Sequence, residues 1–524
     1  MERFMSRYKK LWATICLLTG MMFYQMPVDA EEADYKSIIA QAEGFGKPER
    51  LFDEDRGTYT AAKEDACITL SHEDGIQTIY IEFDRIPGNW ILTDAESGET
   101  VNCGNYGFLH EYVDVAAMFG REPEALPREL KLTFEEGTVI ADVYGFTEGE
   151  LPDFVQVWQP PCEEADLLLF SSHSDDEQLF FLGMLPLYAG EKGLQVQVAY
   201  VVQHFEVNKT QNHVRPHEQL DGLWTVGVRN YPVMSEFPDL YAESKDRETA
   251  LAQAKKVYEN AGYTYEDFLD YFVVCIRRFK PLVVVSHDLD GEYGHGTHVL
   301  CAAALTEAIG YAADETYVIQ EKDTVPWQIE KLYLHLYEEN PIVMDYDIPL
   351  EHFGGKTAFE VSGEGFDCHK SQHWTWFYKW RYGTEARPIQ KATDIRSYSP
   401  CKFGLYYTSV GQDVACNDFF ENVKTYGMRY EEQARIEAEK EAQRLKEEAE
   451  REALEKAALE KAEKEKAEAA ELQKKLEAEE QSREALEMAE LERENKQKLI
   501  YGALLLCVIA GIAISILIWR RRKH

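Results

Sequence analysis

Residues 167–178 read Leu-Leu-Leu-Phe-Ser-Ser-His-Ser-Asp-Asp-Glu-Gln. Leu167 to Phe170 is a continuous apolar run, the mark of a strand buried on both faces of a parallel sheet. Two serines follow it, and then His173, Asp175, Asp176 and Glu177 crowd into five positions ahead of a helical run from Gln178 to Tyr188. Strand, polar turn and helix open an α/β unit, and such sheets bind ligands at the carboxyl ends of their strands. His173 and Asp176 are three apart, so one tight turn can aim an imidazole and a carboxylate at a single cation, a pairing that suits zinc. Asp175, between them, is placed to serve as a base. The plain alternative is capping, since the acids stand where a helix begins and the helix dipole favours them there.

A second unit of the same kind lies at 281–298, Pro-Leu-Val-Val-Val-Ser-His-Asp-Leu-Asp-Gly-Glu-Tyr-Gly-His-Gly-Thr-His. Leu282 to Val285 is again an apolar strand. The spacing predicts a helix from about His295, with His298 in its first turn. Between the two units, Val196 to Val202 reads as another strand, and a helix opens near Arg215.

The two motifs resemble the PIG-L (LmbE-like) family of zinc-dependent N-deacetylases. The family's Ala-His-Pro-Asp-Asp-Glu stands here as Ser172-His173-Ser174-Asp175-Asp176-Glu177, and its Gly-His-x-x-His as Gly294-His295-Gly296-Thr297-His298 after His287-Asp288. The resemblance covers roughly residues 160–425. It implies a Rossmann-like α/β catalytic domain with a mostly parallel sheet, and Zn²⁺ held by His173, Asp176 and His298. The residue types then permit Asp175 to take a water's proton, Tyr293 to donate to the oxyanion, and His295, as a cation, to stabilise the intermediate and protonate the leaving amine. Arg215 and Glu218 match a family Arg-x-x-Glu near the substrate; on spacing alone they also read as an i,i+3 surface ion pair.

The rest of the 524 residues predicts a mosaic. Residues 1–30 read as a signal peptide or an uncleaved anchor. Residues 46–158 alternate in short strands, a β-sandwich (jelly roll) that Leu51 to Tyr59 makes similar to discoidin-type, galactose-binding-like domains. Whether it binds sugar or only packs on the enzyme is open. Residues 366–380 carry His369, Gln372, His373, Trp374, Trp376 and Trp380, aromatics that suit either sugar rings or a core. Cys401–Cys416 and Cys67–Cys103 are candidate bridges, while Cys275 and Cys301 read as buried thiols. Residues 429–498, rich in Glu, Lys and Ala, predict a long charged helix or loose coiled coil through which the chain could self-associate. Leu499 to Trp519 reads as one transmembrane helix, with 520–524 a basic cytoplasmic tail.

A net charge of −39 excludes nucleic acid as a partner. The expected protein is therefore a single-pass cell-membrane enzyme with its ectodomain outside. Its expected activity is zinc-dependent removal of acetyl from an N-acetylglucosamine-type amino sugar, glycan or glycoconjugate. Two other classes stay open: a zinc amidase on another acyl amide conjugate, and a non-catalytic glycan-binding surface protein.

Overall fold

The computed structural model describes residues 32–122, 125–203, 213–319 and 324–484, with 504, 505, 507–512 and 514. The described residues up to Arg429 form one compact unit and those from Tyr430 another.

The first unit opens with eight antiparallel strands: β1 (Ile39–Phe45), β2 (Thr60–Ser71), β3 (Thr78–Phe83), β4 (Trp90–Asp94), β5 (Thr100–Cys103), β6 (His110–Asp114), β7 (Glu129–Phe134) and β8 (Val139–Phe146). They lie in the order β5-β4-β7-β2-β8-β3-β6, with β1 paired to β2. The expected two-sheet sandwich is thus corrected to one continuous sheet, an open half-barrel. The cause is β2. Its first residues, Thr60 and Ala61, pair with β8, while Cys67 to Ser71 pair with β7. One long strand therefore joins two sets of strands that alternation alone would assign to separate sheets. Ile68, Leu70, Ile79, Ile81, Leu130 and Leu132 are buried in the same core.

The α/β part holds β9 (Leu167–Ser171), β10 (Val196–Tyr200), β11 (Val233–Met234), β12 (Val283–Ser286), β13 (Lys331–His335), β14 (Pro341–Val343) and β15 (Lys402–Thr408). Their order is β11-β10-β9-β12-β13-β15-β14. Neighbours from β11 to β13 are parallel, and β15 runs antiparallel to both β13 and β14. From β9 the chain moves outward through β10 and β11, then returns to lay β12 on the other side of β9. That reversal opens a crevice at the carboxyl ends of β9 and β12, where α/β sheets bind ligands.

Beyond a five-residue helix at Val115–Phe119 in the N-terminal part, the α-helices among the described residues are α1 (Asp176–Leu179), α2 (Arg215–Thr225), α3 (Arg247–Asn260), α4 (Tyr265–Phe279), α5 (Gly296–Ala313), α6 (Ala358–Cys368), α7 (Trp376–Tyr382) and α8 (Tyr426–Glu484). A capping box between Thr264 and Asp267 starts α4. The run after β9 is shorter than its pattern predicts. α1 stops at Leu179, and Pro186, which has no N–H to donate, opens a separate π-helical turn at Pro186–Glu191.

α8 is 59 residues long and its leucines, among them Leu454 and Leu472, are exposed. No helix among the described residues is both long and apolar enough to cross a membrane. The expected transmembrane helix at 499–519 and the single-pass membrane placement are corrected accordingly. The long helix is charged, and the described residues between 504 and 514 span only about half of a ~30 Å hydrocarbon core. The remainder of 499–519, the tail 520–524 and the signal-peptide stretch 1–30 lie outside the described residues. All nine described cysteines are free, so neither Cys401–Cys416 nor Cys67–Cys103 is bridged.

Candidate active site

The backbone leaves β9 in a turn that its own side chains hold. Ser171 Oγ donates to the carbonyl of His173 at 3.0 Å, and the His173 N–H donates to Asp176 Oδ2 at 2.8 Å. Asp176 is the first residue of α1. Asp175, at the cap position, makes no side-chain capping bond, so its carboxylate is not consumed in starting the helix. The Arg215 guanidinium from α2 stands 3.7 Å from it.

The second motif reaches the same crevice from β12. Tyr293 and Gly294 adopt positive φ in the loop before α5. Gly294 has no substitute, because a Cβ there would lie 2.3 Å from the Ser244 carbonyl oxygen. The loop delivers His298 in the first turn of α5. His173 Nδ1, Asp176 Oδ2 and His298 Nε2 then form a nearly equilateral triangle. His173 Nδ1 is 3.1 Å from Asp176 Oδ2 and 3.2 Å from His298 Nε2, and the third side is 3.3 Å. His295 stands beside them, its ring 4.8 Å from those of His173 and His298.

Two ligand groups can be drawn here, His173 with His295 and His298, and Asp176 with His287 and His298. Hydrogen bonding removes His287 from contention. Its Nε2 accepts the Ser172 N–H at 2.8 Å and its Nδ1 donates to Glu292 at 2.7 Å, leaving no lone pair for a cation. His298 differs. Its Nδ1 donates to Glu292 at 2.6 Å, which frees Nε2 toward His173 and Asp176.

Charge separates the paired acids. Burial pushes Asp176 up, but the charges of His298 and His173 outweigh it and hold the carboxyl well below the usual range. Asp175 remains raised by burial, with Arg215 pulling the other way. Burial, reinforced by His173 and His298, takes the His295 imidazole down to about 2, so it is neutral here rather than the cation its sequence role assumed.

Arg215 and Glu218 do not pair with each other as a surface couple. Glu218 accepts the Ser371 N–H at 2.8 Å and its hydroxyl at 2.5 Å, while Arg215 faces Asp175. Tyr293 lies over the site with its ring 5.5 Å from His295 and 5.6 Å from His298.

Three contributors, Glu292, His335 and Asp239, were not picked out as site residues. Glu292 holds His287 and His298, and its Oε1 meets His335 Nδ1 at 2.6 Å. Asp239 reaches His173 Nε2 at 3.4 Å. His369, one of the residues left open between sugar contact and core, is fully buried, 3.3 Å from Glu177. Glu292 had a signal: a histidine ligand needs a partner for its other nitrogen, and this acid lies six residues before His298.

Residues 168–309 match the model of the family described as PIG-L, GlcNAc-PI de-N-acetylase. The matched segment contains most of β9, all of β12 and both motifs, and the match does not reach the N-terminal sheet. A 1D-myo-inositol 2-acetamido-2-deoxy-alpha-D-glucopyranoside deacetylase of Rhodococcus jostii (strain RHA1) is 27% identical over 203 residues, 36% of this chain and 68% of that one. A protein of the same name from Rhodococcus opacus (strain B4) is 36% identical over 193 residues, 34% and 64%. Another, from Segniliparus rotundus, is 43% identical over 89 residues, 17% and 27%. The chain therefore spans from about a quarter to about two thirds of the length of these relatives. Among solved structures, the N,N'-diacetylchitobiose deacetylase of Pyrococcus horikoshii aligns with a TM-score of 0.32 at 15% identity, covering 47% of this chain and 86% of that one.

Proposed function

We propose that the chain is a zinc-dependent N-deacetylase that removes acetyl from an N-acetylglucosamine-type amino sugar. The triangle of His173 Nδ1, Asp176 Oδ2 and His298 Nε2 carries the reading. Donors set about 2.0–2.1 Å from a tetrahedral zinc lie about 3.3 Å from one another, and the three sides measure 3.1, 3.2 and 3.3 Å. A three-donor face of nitrogen and oxygen leaves the fourth position open, as catalytic zinc requires. The substrate class comes from the curated relatives, which are named as deacetylases of an acetamido-glucopyranoside.

Bound zinc would polarise the acetamide carbonyl and acidify a water. Asp175, uncapped and beside Arg215, takes that water's proton. Because burial favours its protonated form, Asp175 can then pass the proton to the departing amine. The products are acetate and a free amino sugar. His295, held neutral, contributes a single N–H toward the oxyanion, and the Tyr293 hydroxyl is the other donor at hand.

Acetate release by the purified chain tests this, with N-acetylglucosamine, its glycosides and simple N-acetyl amides as substrates. Release from the sugars should stop with a chelator and return with zinc. Asp175→Asn should keep its metal and lose activity by about 10²–10⁴-fold. Release from simple amides alone would move the assignment to another amidase. Undiminished release by Asp175→Asn would remove the proposed base.

A further inference from the structure

A row of rings crosses the candidate active site, and both of its ends are open to water. Trp376, at the start of α7, is 48% exposed, yet its ring stands 5.5 Å from that of Tyr293, edge to face. Tyr293 is in turn 5.5 Å from His295. On the far side of His295 lies Tyr241, 68% exposed, with its ring 5.6 Å away. The sequence Trp376–Tyr293–His295–Tyr241 therefore passes directly beside the metal-binding triangle. Phe377 lies tilted against Trp376 at 4.1 Å, meets Tyr293 edge to face at 5.5 Å, and touches Phe180 of the core edge to face, which fixes the row from below.

Large aromatic rings left in water forgo the gain of burial, and Trp376 and Tyr241 do so on either side of the candidate site. The occupant must fit three conditions. It must be joined to the group being deacetylated, because the row is continuous with the site. It must offer flat C–H faces to aromatic rings. It must remain soluble and polar at its edges, because the rings are half in solvent. A pyranose meets all three. Trp376 is reached from His298 by two ring-to-ring steps of 5.6 and 5.5 Å through Tyr293, so a second ring joined to the reacting N-acetylglucosamine is the unit placed to lie on it.

Resting on the deacetylase reading above, we infer that the substrate is an oligosaccharide or glycan in which the N-acetylglucosamine unit is linked to at least one further sugar ring, and that Trp376 and Tyr241 are the flanking platforms that bind those rings. The specificity is then for length. Added rings lower KM through stacking while the reacting unit stays in place.

The test uses the full chain and β-linked N-acetylglucosamine mono-, di- and trisaccharides, in two arms. In the activity arm, the zinc-loaded enzyme should show a kcat/KM for the trisaccharide at least tenfold above that for the monosaccharide. Trp376→Ala should bring the ratio close to one through KM, and Trp376→Phe should restore most of it. In the binding arm, the metal-free chain should show a saturable tryptophan-fluorescence change with the trisaccharide that Trp376→Ala weakens about tenfold. Tyr241→Ala provides a second variant at a position that packs little core. A wild-type enzyme with no length preference, or a preference untouched by Trp376→Ala and Tyr241→Ala, overturns the inference. So does a metal-free chain that does not bind the trisaccharide. Saturable binding lost in Trp376→Ala without acetate release from any sugar would support the platform while refuting the deacetylase reading.

Discussion

Glu292 meets His287, His298 and His335 at 2.7, 2.6 and 2.6 Å and is fully buried, so one carboxylate orients an imidazole on each of three different elements. Burial alone would push this acid up, but the three histidines hold it well below the usual carboxylate range. Its effect on the site is indirect. By accepting the Nδ1–H of His298 it fixes the tautomer that turns Nε2 toward His173 and Asp176. Glu292→Gln keeps the volume but removes the charge, and its amide N–H₂ would oppose either the His287 and His298 N–H groups or the Asp288 backbone N–H. Zinc affinity should fall about 10–100-fold with the fold intact, read by competition with a chromophoric chelator alongside circular dichroism. Wild-type affinity in the variant would show that the histidines are held by something else. The triad at the triangle was legible in the sequence because its members occupy two short motifs. Glu292 was legible only as a spacer within one of those motifs, since the three rings it joins come from positions as far apart as 287 and 335.

At the scale of elements, what a segment does alone was readable and what it does with a distant partner was not. β9 and β12 were visible as unbroken apolar runs because each is buried on both faces. The half-barrel was not, because nothing local tells β2 to pair with β7 at one end and β8 at the other. The segment after β9 teaches the same point. Its apolar pattern fits a helix through Tyr188, but Gly183 sits where a Cβ would come within 2.1 Å of the Tyr346 ring, a fully buried side chain from a segment over 150 residues away. This close approach and Pro186 shape the stretch, and local helix propensity does not. Gly183→Ala raises helix propensity by up to about 1 kcal/mol yet must displace Tyr346, so overpacking wins. The expected outcome is a net loss of about 1–3 kcal/mol, measured by the denaturant midpoint. A variant as stable as the parent would mean that the ring can move aside without cost.

On the scale of the first unit, the N-terminal sheet and the α/β part are joined through charges buried where they meet. Arg56, from the loop before β2, pairs with Glu82 on β3 at 2.7 Å and with Asp221 on α2 at 2.5 Å. Beside it, His110 of β6 meets His217 of α2 at 2.7 Å, and Phe108 stacks on Tyr231 at 4.3 Å. Glu82 is only 2% exposed, and burial raises its carboxyl while Arg56 opposes that. Arg56→Met would leave Glu82 uncompensated in the same surroundings. Removing one partner of a fully buried pair costs about 3–5 kcal/mol. Since the Arg56 side chain is 27% exposed, roughly 2–3 kcal/mol is the better expectation after allowing for solvent screening. The pH dependence fixes the cause. Without Arg56 the folded-state pKa of Glu82 rises further above its unfolded value, so the added penalty is full above the folded pKa. It shrinks as pH falls through the folded pKa and is gone below the unfolded value, where the carboxyl is protonated in both states. Thermal melts of the variant against the parent should therefore differ most near pH 8 and converge toward pH 4–5. A gap that does not change with pH would assign the loss to packing of the arginine stem, and a gap that widens in acid would place the controlling charge elsewhere in the joint.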